Sequence, residues 1–500
     1  MDTNAESSIP RDRKIIALIV LLIMLGATLA ASLAFYEPPE IREKFEEKGF
    51  VLRARKNVQV TTVPEPNNEP AIAVDPNDPM HIVAAGNDYS QPNKDAWVGY
   101  YVSWDGGETW ERDLIPGYRE DDILSPLSLF KAAGDPVVCF DSDSNVFISG
   151  ICFKRPTNPA NPITGWTPGP DDGIFVAKST DGGKTFNQIN ILAAAMQAPI
   201  SFHDKEWMAV DMNNGNVYVV WVVFTLYSLA TVLFSRSTDN GNSYSLPPMV
   251  ISEYQALEVG SQGSTIQVTP DGRVHISWID FNQGQVRYTY STNEGQSFST
   301  PQSIADVNPI PYALENGDYR TPTLLMSAVD LSDTNTSGYL YITWNDYRYG
   351  DADILLIYSW DNGQTWSEPV RVNNDEEGNG HDQFFSAVAV SPQGWVHMVF
   401  YDRRDDENNT LIWAYYAISK NGGENFTVNM NMSDESFDGN NAPHPFIGDY
   451  IGICATNTAA YAVWCDTRDG TPESGSSEIY FGAVDFSDGS EEQPSEDGTE

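Results

Sequence analysis

The chain has 500 residues, 12% of them aromatic, with 38 glycines and 31 prolines, which favours many short strands and tight turns over helices. Its 70 acidic and 28 basic side chains give a net charge of −42, which argues against nucleic acids and anionic membrane surfaces as partners. This length would ordinarily form about three domains. A repeat along the chain, described below, predicts instead that most of it forms one domain.

The N-terminal region carries a hydrophobic segment. Residues 15–36 have no charged side chain and follow a basic flank, so they predict a transmembrane anchor with residues 1–14 in the cytoplasm. The alternative is a cleaved signal peptide, because the small residues at 31–34 offer a cleavage site. Both interpretations place the remainder outside the cytoplasm, at the cell membrane or, after cleavage, secreted.

The globular part is expected between two polar segments. Residues 37–56 are charged and predict a stalk, with a short helix near residues 40–48. Residues 57–486 hold the repeats. Residues 487–500 are strongly acidic and are expected to be disordered. The four cysteines lie out of register for pairing within their hairpins, so free thiols are expected.

One eight-residue phrase recurs six times at intervals of 54 to 76 residues. Its pattern is Ser-x-Asp/Asn-x-Gly-x-x-aromatic, and we call each copy a box. Each box follows a run of strand-forming residues, so it predicts a hairpin turn in which Asp or Asn accepts backbone hydrogen bonds and Gly supplies a positive φ. A repeat at this period indicates an array of supersecondary units. The boxes span residues 103–110, 179–186, 237–244, 291–298, 359–366 and 419–426.

The boxes resemble the Asp-box, or bacterial neuraminidase repeat, of sialidase-like β-propellers. The resemblance covers residues 57–486 and implies one propeller blade for each box. In that superfamily the fold carries both glycosidases and non-catalytic binding proteins. The resemblance therefore implies a fold and leaves the activity open.

The strands that open each unit predict seven blades rather than six. Six units contain a box, and a seventh, beginning near residue 450, has three strands and none. Residues 57–62 supply its missing fourth strand, which removes an open sheet edge. The predicted fold is therefore an all-β, seven-bladed propeller closed by an N-terminal strand. The sialidases usually have six blades, so their active-site residues do not transfer directly.

Strand order predicts which face carries function. The boxes lie on the turns between the third and fourth strands of each blade and share one face with the turns between the first and second strands. The remaining loops converge on the central channel at the other face, which we call the boxless face. Propeller ligands usually bind there.

Acidic residues stand just before several first strands and are expected on the boxless face. They have two interpretations: they cap turns by accepting backbone hydrogen bonds, or they ring the channel, where crowded carboxylates recruit Ca²⁺. The aspartates concerned are Asp135, Asp204, Asp382 and Asp449.

Asp-x-Arg phrases end three consecutive second strands and contain Arg348, Arg404 and Arg468. In one interpretation each arginine pairs with an aspartate and fixes a loop. In the other, the three guanidinium groups bind a ligand carboxylate, as the arginine cluster of the sialidase family does. His203 and His381, each followed by Asp, are hydrogen-bonded structural residues, ligand-binding residues or general acid–base groups.

The resemblance also implies a tyrosine nucleophile, an acidic partner and a separate aspartic acid. The family's Phe/Tyr-Arg-Ile-Pro motif has its nearest match at residues 319–322, which include Arg320 but lack the isoleucine and lie in the fifth unit. The candidate nucleophile is Tyr319 or Tyr450, and its acidic partner is Glu206 or Glu315. The candidate for the separate acid is Asp204 or Asp382.

The sequence thus predicts a membrane-tethered extracellular propeller that recognises, and potentially hydrolyses, glycans or acidic sugars through its boxless face. Ligand binding is assigned to Arg348, Arg404, Arg468, His203, His381, Asp449 and Tyr450. The alternative is a non-catalytic adhesion protein that binds a surface polymer, a peptide or a partner protein. The crowded aspartates make Ca²⁺ the candidate cofactor.

Overall fold

A computed structural model describes most of the chain from residue 41 onward. The predicted anchor at residues 15–36 and the tail after residue 487 lie outside the described residues. No helix within the described part is long and apolar enough to cross a membrane. The described residues are 41–47, 50–91, 95–118, 122–154, 172–194, 201–225, 229–252, 255–256, 261–443, 446–471 and 473–487.

The described residues are almost entirely β-structure, with two 3-10 turns at Pro126–Leu129 and Gly439–Asn441. Three short strands precede the first blade: β1 (Ile41–Glu47), β2 (Phe50–Arg55) and β3 (Val58–Gln59).

The first three blades are antiparallel sheets whose strands follow chain order. Blade 1 consists of β4 (Asn67–Asp75), β5 (Asp78–Asp88), β6 (Trp97–Ser103) and β7 (Glu111–Leu114). Blade 2 consists of β8 (Ala132–Phe140), β9 (Val146–Phe153), β10 (Asp172–Ser179) and β11 (Gln188–Ala194). Blade 3 consists of β12 (Ser201–Val210), β13 (Val217–Thr225), β14 (Leu229–Ser237), β15 (Met249–Val250) and β16 (Gln255–Ala256).

The next three blades repeat this order. Blade 4 consists of β17 (Ser261–Val268), β18 (Val274–Asp280), β19 (Gln285–Ser291) and β20 (Gln302–Asp306). Blade 5 consists of β21 (Met326–Val329), β22 (Leu340–Asp346), β23 (Asp353–Ser359) and β24 (Val370–Arg371). Blade 6 consists of β25 (Gln383–Val390), β26 (Val396–Asp402), β27 (Leu411–Ser419), β28 (Val428–Asn431) and β29 (Phe437–Asp438).

Blade 7 joins the two ends of the described chain. Its own strands are β30 (Gly452–Ala455), β31 (Ala459–Asp466) and β32 (Glu478–Ser487), and both β2 and β3 pair antiparallel with β32. The prediction of seven blades closed by an N-terminal strand is confirmed. The closing strand begins earlier than predicted, because residues 50–55 supply most of the pairing.

The assignment of residues 37–56 to a stalk is wrong for β1 and β2. Residues 41–47 form a strand on the outer edge of blade 7 instead of the expected helix. Phe50, Leu52 and Ala54 alternate along β2 and are buried in the core between blades 6 and 7. This period-two apolar pattern specifies a half-buried strand, and the neighbouring charges concealed it.

The seven sheets form a closed ring. The first strand of each blade contacts the first strand of the next, and β30 contacts β4. The second strands β18, β22, β26 and β31 are buried along their whole length, because neighbouring blades cover both of their faces. The first strands line an apolar channel of about 70 Å³, into which Trp207 and Tyr450 project.

The boxes form turns on one face of the ring, as strand order predicts. In the first box Ser103 Oγ donates to Asp105 Oδ1 at 2.8 Å, and the Gly107 N–H donates to Ser103 Oγ at 2.8 Å. The bond from the glycine N–H to the serine hydroxyl recurs in the other five boxes. All four cysteines are free thiols.

Candidate functional site

The first strands of blades 1, 2, 3, 4 and 6 share a bulge where they enter the boxless face. The pairing register shifts between Asn68 and Ala71 in blade 1, and equivalent shifts occur in β8, β12, β17 and β25. One residue in each bulge has a positive φ: Glu69 (52°), Asp135 (57°), Lys205 (53°), Gly263 (60°) and Phe385 (52°). Four of these five are not glycine, at a cost of about 1–3 kcal/mol each.

The bulges of blades 1 to 3 direct charged side chains from different blades into one group. Lys205 Nζ lies 2.8 Å from Asp135 Oδ2, 2.6 Å from Asp449 Oδ2, 3.8 Å from Glu69 Oε1 and 3.9 Å from Asp204 Oδ1. These side chains lie above the apolar channel, at its opening on the boxless face. We call the group the mouth cluster; it consists of Glu69, Asp135, Asp204, Lys205, Arg320 and Asp449.

Arg320 is the most exposed member of the mouth cluster. Its Nε and Nη2 atoms donate to the two carboxylate oxygens of Asp449, both at 2.6 Å. The guanidinium also stacks over Phe446, 4.5 Å from the ring centroid. Its side chain is 37% exposed, against 14% for Lys205, so Arg320 is the cation that a ligand at the mouth meets first.

The pKa values of the carboxyl groups in the mouth cluster are shifted in different directions. Burial and the charge of Asp135 raise the pKa of Glu69 well above its usual value. Burial also raises the pKa of Asp204, although Lys205 opposes this. Burial acts in the same direction on Asp135, but the ammonium of Lys205 opposes it, and the pKa of Asp135 is lowered. The pKa shifts of neighbouring carboxyl groups therefore run in opposite directions within one site.

Two predicted site residues lie beneath the cluster. Glu206 is buried, and burial followed by the charge of Asp135 raises its pKa well above the usual value. Tyr450 is buried against Trp207 at the top of the channel, and its hydroxyl donates to the Pro136 carbonyl at 3.3 Å. Burial raises the pKa of Tyr450 well above its usual value, and its assignment as the nucleophile stays a prediction.

Tyr319 and Asp382 lie in a separate buried network. Tyr319 is 1% exposed, packs against Phe384 and accepts a hydrogen bond from Arg403. Asp382 accepts from Asn409 Nδ2 at 2.6 Å and from the Ala352 N–H at 3.0 Å. The structure therefore does not bring the predicted Tyr319 nucleophile and Asp382 acid to the mouth. Glu315, the alternative acidic partner, is an exposed residue whose backbone carbonyl accepts from Arg403.

The three Asp-x-Arg arginines do not converge. Arg348 forms ion pairs with Asp346 at 2.7 Å, Arg404 with Asp402 at 2.7 Å and Arg468 with Asp466 at 2.7 Å. Each arginine thus pairs with the aspartate two residues before it. These contacts match the structural interpretation, and the assignment of the three arginines to ligand binding stays a prediction.

The two histidines differ in how their rings are held. His203 Nδ1 accepts from Trp221 Nε1 at 2.8 Å, and burial lowers the pKa of His203 to about 4. The backbone N–H of His381 donates to Asn379 Oδ1 at 2.8 Å, and the ring Nδ1 has no hydrogen-bond partner among the described residues. Their assignment to ligand binding or acid–base chemistry stays a prediction.

The aspartates proposed for Ca²⁺ do not form a metal site. Asp135, Asp204 and Asp449 do converge, but the Lys205 ammonium occupies the position between them, and Asp382 lies elsewhere. Among the described residues no group of three or more His, Cys, Asp or Glu side chains is arranged to hold a metal ion. The ammonium group of Lys205 therefore lies where Ca²⁺ was predicted.

The sequence interpretation missed Glu69 and Lys205. A signal for Glu69 was present, because Glu69-Pro70 occupies the same place in the first strand of blade 1 as Asp135-Pro136 does in that of blade 2. Lys205 stands among acids in the sequence, and its role depends on contacts with blades 1, 2 and 7 that no local pattern shows.

No family model matches this chain, and no curated protein matches it either. Solved structures similar to it include a protein of unknown function from Dyadobacter fermentans, with 12% identity, a TM-score of 0.45, and coverage of 87% of this chain and 99% of that one. The Hadza microbial sialidase Hz136 has 14% identity, a TM-score of 0.44, and coverage of 81% and 73% respectively. An ulvan lyase of polysaccharide lyase family PL25 has 12% identity, a TM-score of 0.44, and coverage of 85% and 95%. The function proposed below therefore rests on the mouth itself.

Proposed function

We propose that this propeller binds glycans at the mouth of its boxless face. The observation that carries the proposal is the mouth cluster, in which residues on the bulges of blades 1, 2 and 3 meet Arg320 and Asp449 from the segments that lead into blades 5 and 7. Strained backbone at non-glycine positions persists only where surrounding contacts hold it, and it is concentrated at active sites and ligand-binding sites.

The chemistry of the mouth suits sugars. Carboxylates accept hydrogen bonds from sugar hydroxyls, and the guanidinium of Arg320 donates to hydroxyl or carboxylate oxygens. Aromatic rings lie beside these groups: Phe446 stacks under Arg320, and Tyr312, in the connection leading to Arg320, is 68% exposed. Rings of this kind pack against the apolar faces of sugars.

The charge balance restricts the class of ligand that the mouth can bind. A net charge of −42 disfavours polyanions at long range. Arg320 offers one exposed cation, and Lys205 is surrounded by carboxylates. The preferred ligand is therefore a neutral glycan or one with an isolated carboxylate.

A second candidate is adhesion to a partner protein. The connection between blades 1 and 2 presents three exposed apolar side chains on the boxless face: Ile123, Leu124 and Leu129. Exposed apolar groups in one segment favour a protein surface over a sugar. A pull-down with wild type and with a variant carrying serine at these three positions separates this candidate from glycan binding.

The test of glycan binding is a glycan array probed with the full chain, on which neutral, sialylated, uronic-acid and amino-sugar glycans are compared. The R320Q and D204N variants should lose at least about tenfold in affinity, which corresponds to about 1.4 kcal/mol. R273Q is the matched control, because Arg273 pairs with Asp271 at 3.1 Å on the box face. Undiminished binding by R320Q and D204N would contradict the proposal.

We also propose that residues 15–36 anchor the propeller outside the cell, because this uncharged stretch follows a basic flank. Extraction of membranes with alkaline carbonate should leave the full chain in the pellet. A soluble protein whose N-terminus begins after residue 34 would instead establish cleavage.

A further inference from the structure

On the box face, a buried aspartate joins the turns between the first and second strands of blades 1 and 2. Asp75 ends the first strand of blade 1, and its Oδ1 accepts from Ser144 Oγ of blade 2 at 2.8 Å. Its Oδ2 lies 3.0 Å from His81 Nδ1. Both carboxylate oxygens of Asp75 therefore have partners, and one partner is a hydroxyl group from the next blade.

Blade 5 has an aspartate at the corresponding place, but one of its oxygens lacks a partner. Asp330 directly follows β21 and is buried. The Ser332 N–H donates to Asp330 Oδ1 at 2.8 Å, whereas Oδ2 accepts no hydrogen bond from any described residue. Gly394 of blade 6 corresponds to Ser144 of blade 2, because in both turns this residue's N–H donates to the carbonyl three residues earlier. Gly394 has no hydroxyl group to donate to Asp330.

Two threonine hydroxyls of the blade 5 loop converge on the same place as the unpaired carboxylate oxygen. A Cβ on Gly394 would lie 2.5 Å from Thr334 Oγ1, 2.7 Å from Thr336 Oγ1 and 3.2 Å from Asp330 Oδ2. We call Asp330, Thr334, Thr336 and Gly394 the threonine cradle. Thr334 is exposed, so the cradle lies at the surface of the box face, with the carboxylate beneath it.

The threonine cradle offers oxygen atoms alone as ligands. Its hydroxyls bond to one another: Thr334 Oγ1 lies 2.8 Å from Ser332 Oγ and 2.9 Å from Thr336 Oγ1. Each hydroxyl has one proton and two lone pairs, so lone pairs remain beside the unpaired carboxylate oxygen. Hard cations such as Ca²⁺ bind carboxylate and neutral oxygens together with water. The net charge of −42 also concentrates cations around the protein.

We propose that the threonine cradle binds one Ca²⁺ ion on the box face, where blade 5 meets blade 6. Asp330 Oδ2 is the charged ligand, Thr334 and Thr336 contribute neutral oxygens, and water completes the coordination. The ion satisfies the buried carboxylate as Ser144 satisfies Asp75. A site with a single carboxylate binds weakly, with a dissociation constant of about 10⁻⁴–10⁻³ M. The cradle lies on the face opposite the mouth and does not rest on glycan binding.

Equilibrium dialysis of the full chain against radioactive Ca²⁺ counts the bound ions. Sodium chloride at about 0.15 M screens the acidic surface, and about 5 mM free Ca²⁺ exceeds the expected dissociation constant. D330N removes the charge but keeps an oxygen that accepts from Ser332. G394S fills the cradle with a side chain at a φ of 75°, close to the 62° that Ser144 adopts. Each variant should bind one Ca²⁺ fewer per chain than wild type.

G272S is the matched control. Gly272 has the corresponding place in the turn of blade 4 and a φ of 80°, and the nearest atom to a Cβ there is Asp211 Oδ2 at 3.8 Å. G272S should therefore bind as many Ca²⁺ ions as wild type. A loss of one ion in G272S too would overturn the proposal, because the strained turn would then explain the loss in G394S.

Equal ion counts in wild type, D330N and G394S would also overturn the proposal and leave an ordered water as the partner of Asp330. Should D330N fail to fold, G394S carries the test, since it keeps Asp330. A second readout is hydrogen–deuterium exchange: Ca²⁺ should protect peptides from residues 330–339 in wild type and not in G394S. Identical exchange with and without Ca²⁺ in wild type would contradict the site. Glycan binding on the array should be the same in G394S and wild type, so the two proposals fail separately.

Discussion

The two faces of this propeller use acidic residues in opposite ways. In the boxes the acceptor carboxylate or amide binds groups within four residues: Asp105 accepts from the Thr109 N–H at 2.9 Å and from its hydroxyl at 2.6 Å. In the mouth cluster the partners come from other blades, as when Lys205 of blade 3 meets Asp135 of blade 2 and Asp449 of blade 7. Box acids shape a turn, and mouth acids join blades around a site.

The largest effect should come from removing the cation of the mouth. K205M leaves the carboxylates of Asp135 and Asp449 partly buried without their closest cation, which should lower the free energy of unfolding by about 3–5 kcal/mol. Urea titration monitored by tryptophan fluorescence measures the change. K184M is the control, because Lys184 is an exposed lysine on the box face and should cost under about 0.5 kcal/mol. Equal losses of unfolding free energy in K205M and K184M would contradict the difference between the mouth and the box face.

A smaller effect is expected on the pH dependence of stability. The pKa values of Glu69 and Glu206 are raised in the folded state, chiefly by burial. Their contribution is fully present below their unfolded pKa values and is lost as pH rises through the folded ones. Wild type should therefore lose more stability between acidic and alkaline pH than the E69Q/E206Q double variant. Parallel curves of Tm against pH for the two proteins would show that neither acid carries a raised pKa.

The box acids should give a still smaller and purely local effect. D105A removes the bonds to Thr109 and to Ser103 and should cost about 1 kcal/mol, as the loss of a capping side chain does. Glycan binding should not change. A loss of glycan affinity in D105A would mean that the box face takes part in recognition.

The smallest effect on stability is expected at the rim of the mouth. Asp204 is 20% exposed and lies 3.9 Å from Lys205 Nζ, so D204N should change the free energy of unfolding by under about 1 kcal/mol. Its effect should instead appear in ligand affinity. A stability loss as large as that of K205M would show that Asp204 joins blades rather than faces a ligand.

The sequence predicted the parts of the fold that depend on local chemistry. Each box can be recognised from eight consecutive residues. The last unit has no box and lacks a strand, and this predicted a seventh blade that an N-terminal strand closes. The prediction of a stalk was wrong where β1 and β2 form. The alternating residues Phe50, Leu52 and Ala54 are buried only because β2 pairs into blade 7, which a local pattern does not show. The bulges were also missed, because a left-handed Glu69 or Lys205 has no local sequence signature.

The candidate site could be predicted only in part. Asp135, Asp204, Arg320 and Asp449 were named, and the structure brings them together. Tyr319 and the arginines Arg348, Arg404 and Arg468 were named as well, but partners within their own part of the ring engage them. Whether a charged residue binds a neighbour or faces the channel depends on contacts between blades, which a single sequence does not reveal.

Hydrogen–deuterium exchange with and without a glycan selected on the array tests the central claim most directly. The account predicts protection in peptides that contain Glu69, Asp135, Lys205 and Asp449, with the six boxes unchanged. Protection confined to the box peptides, with none at the four mouth positions, would contradict it.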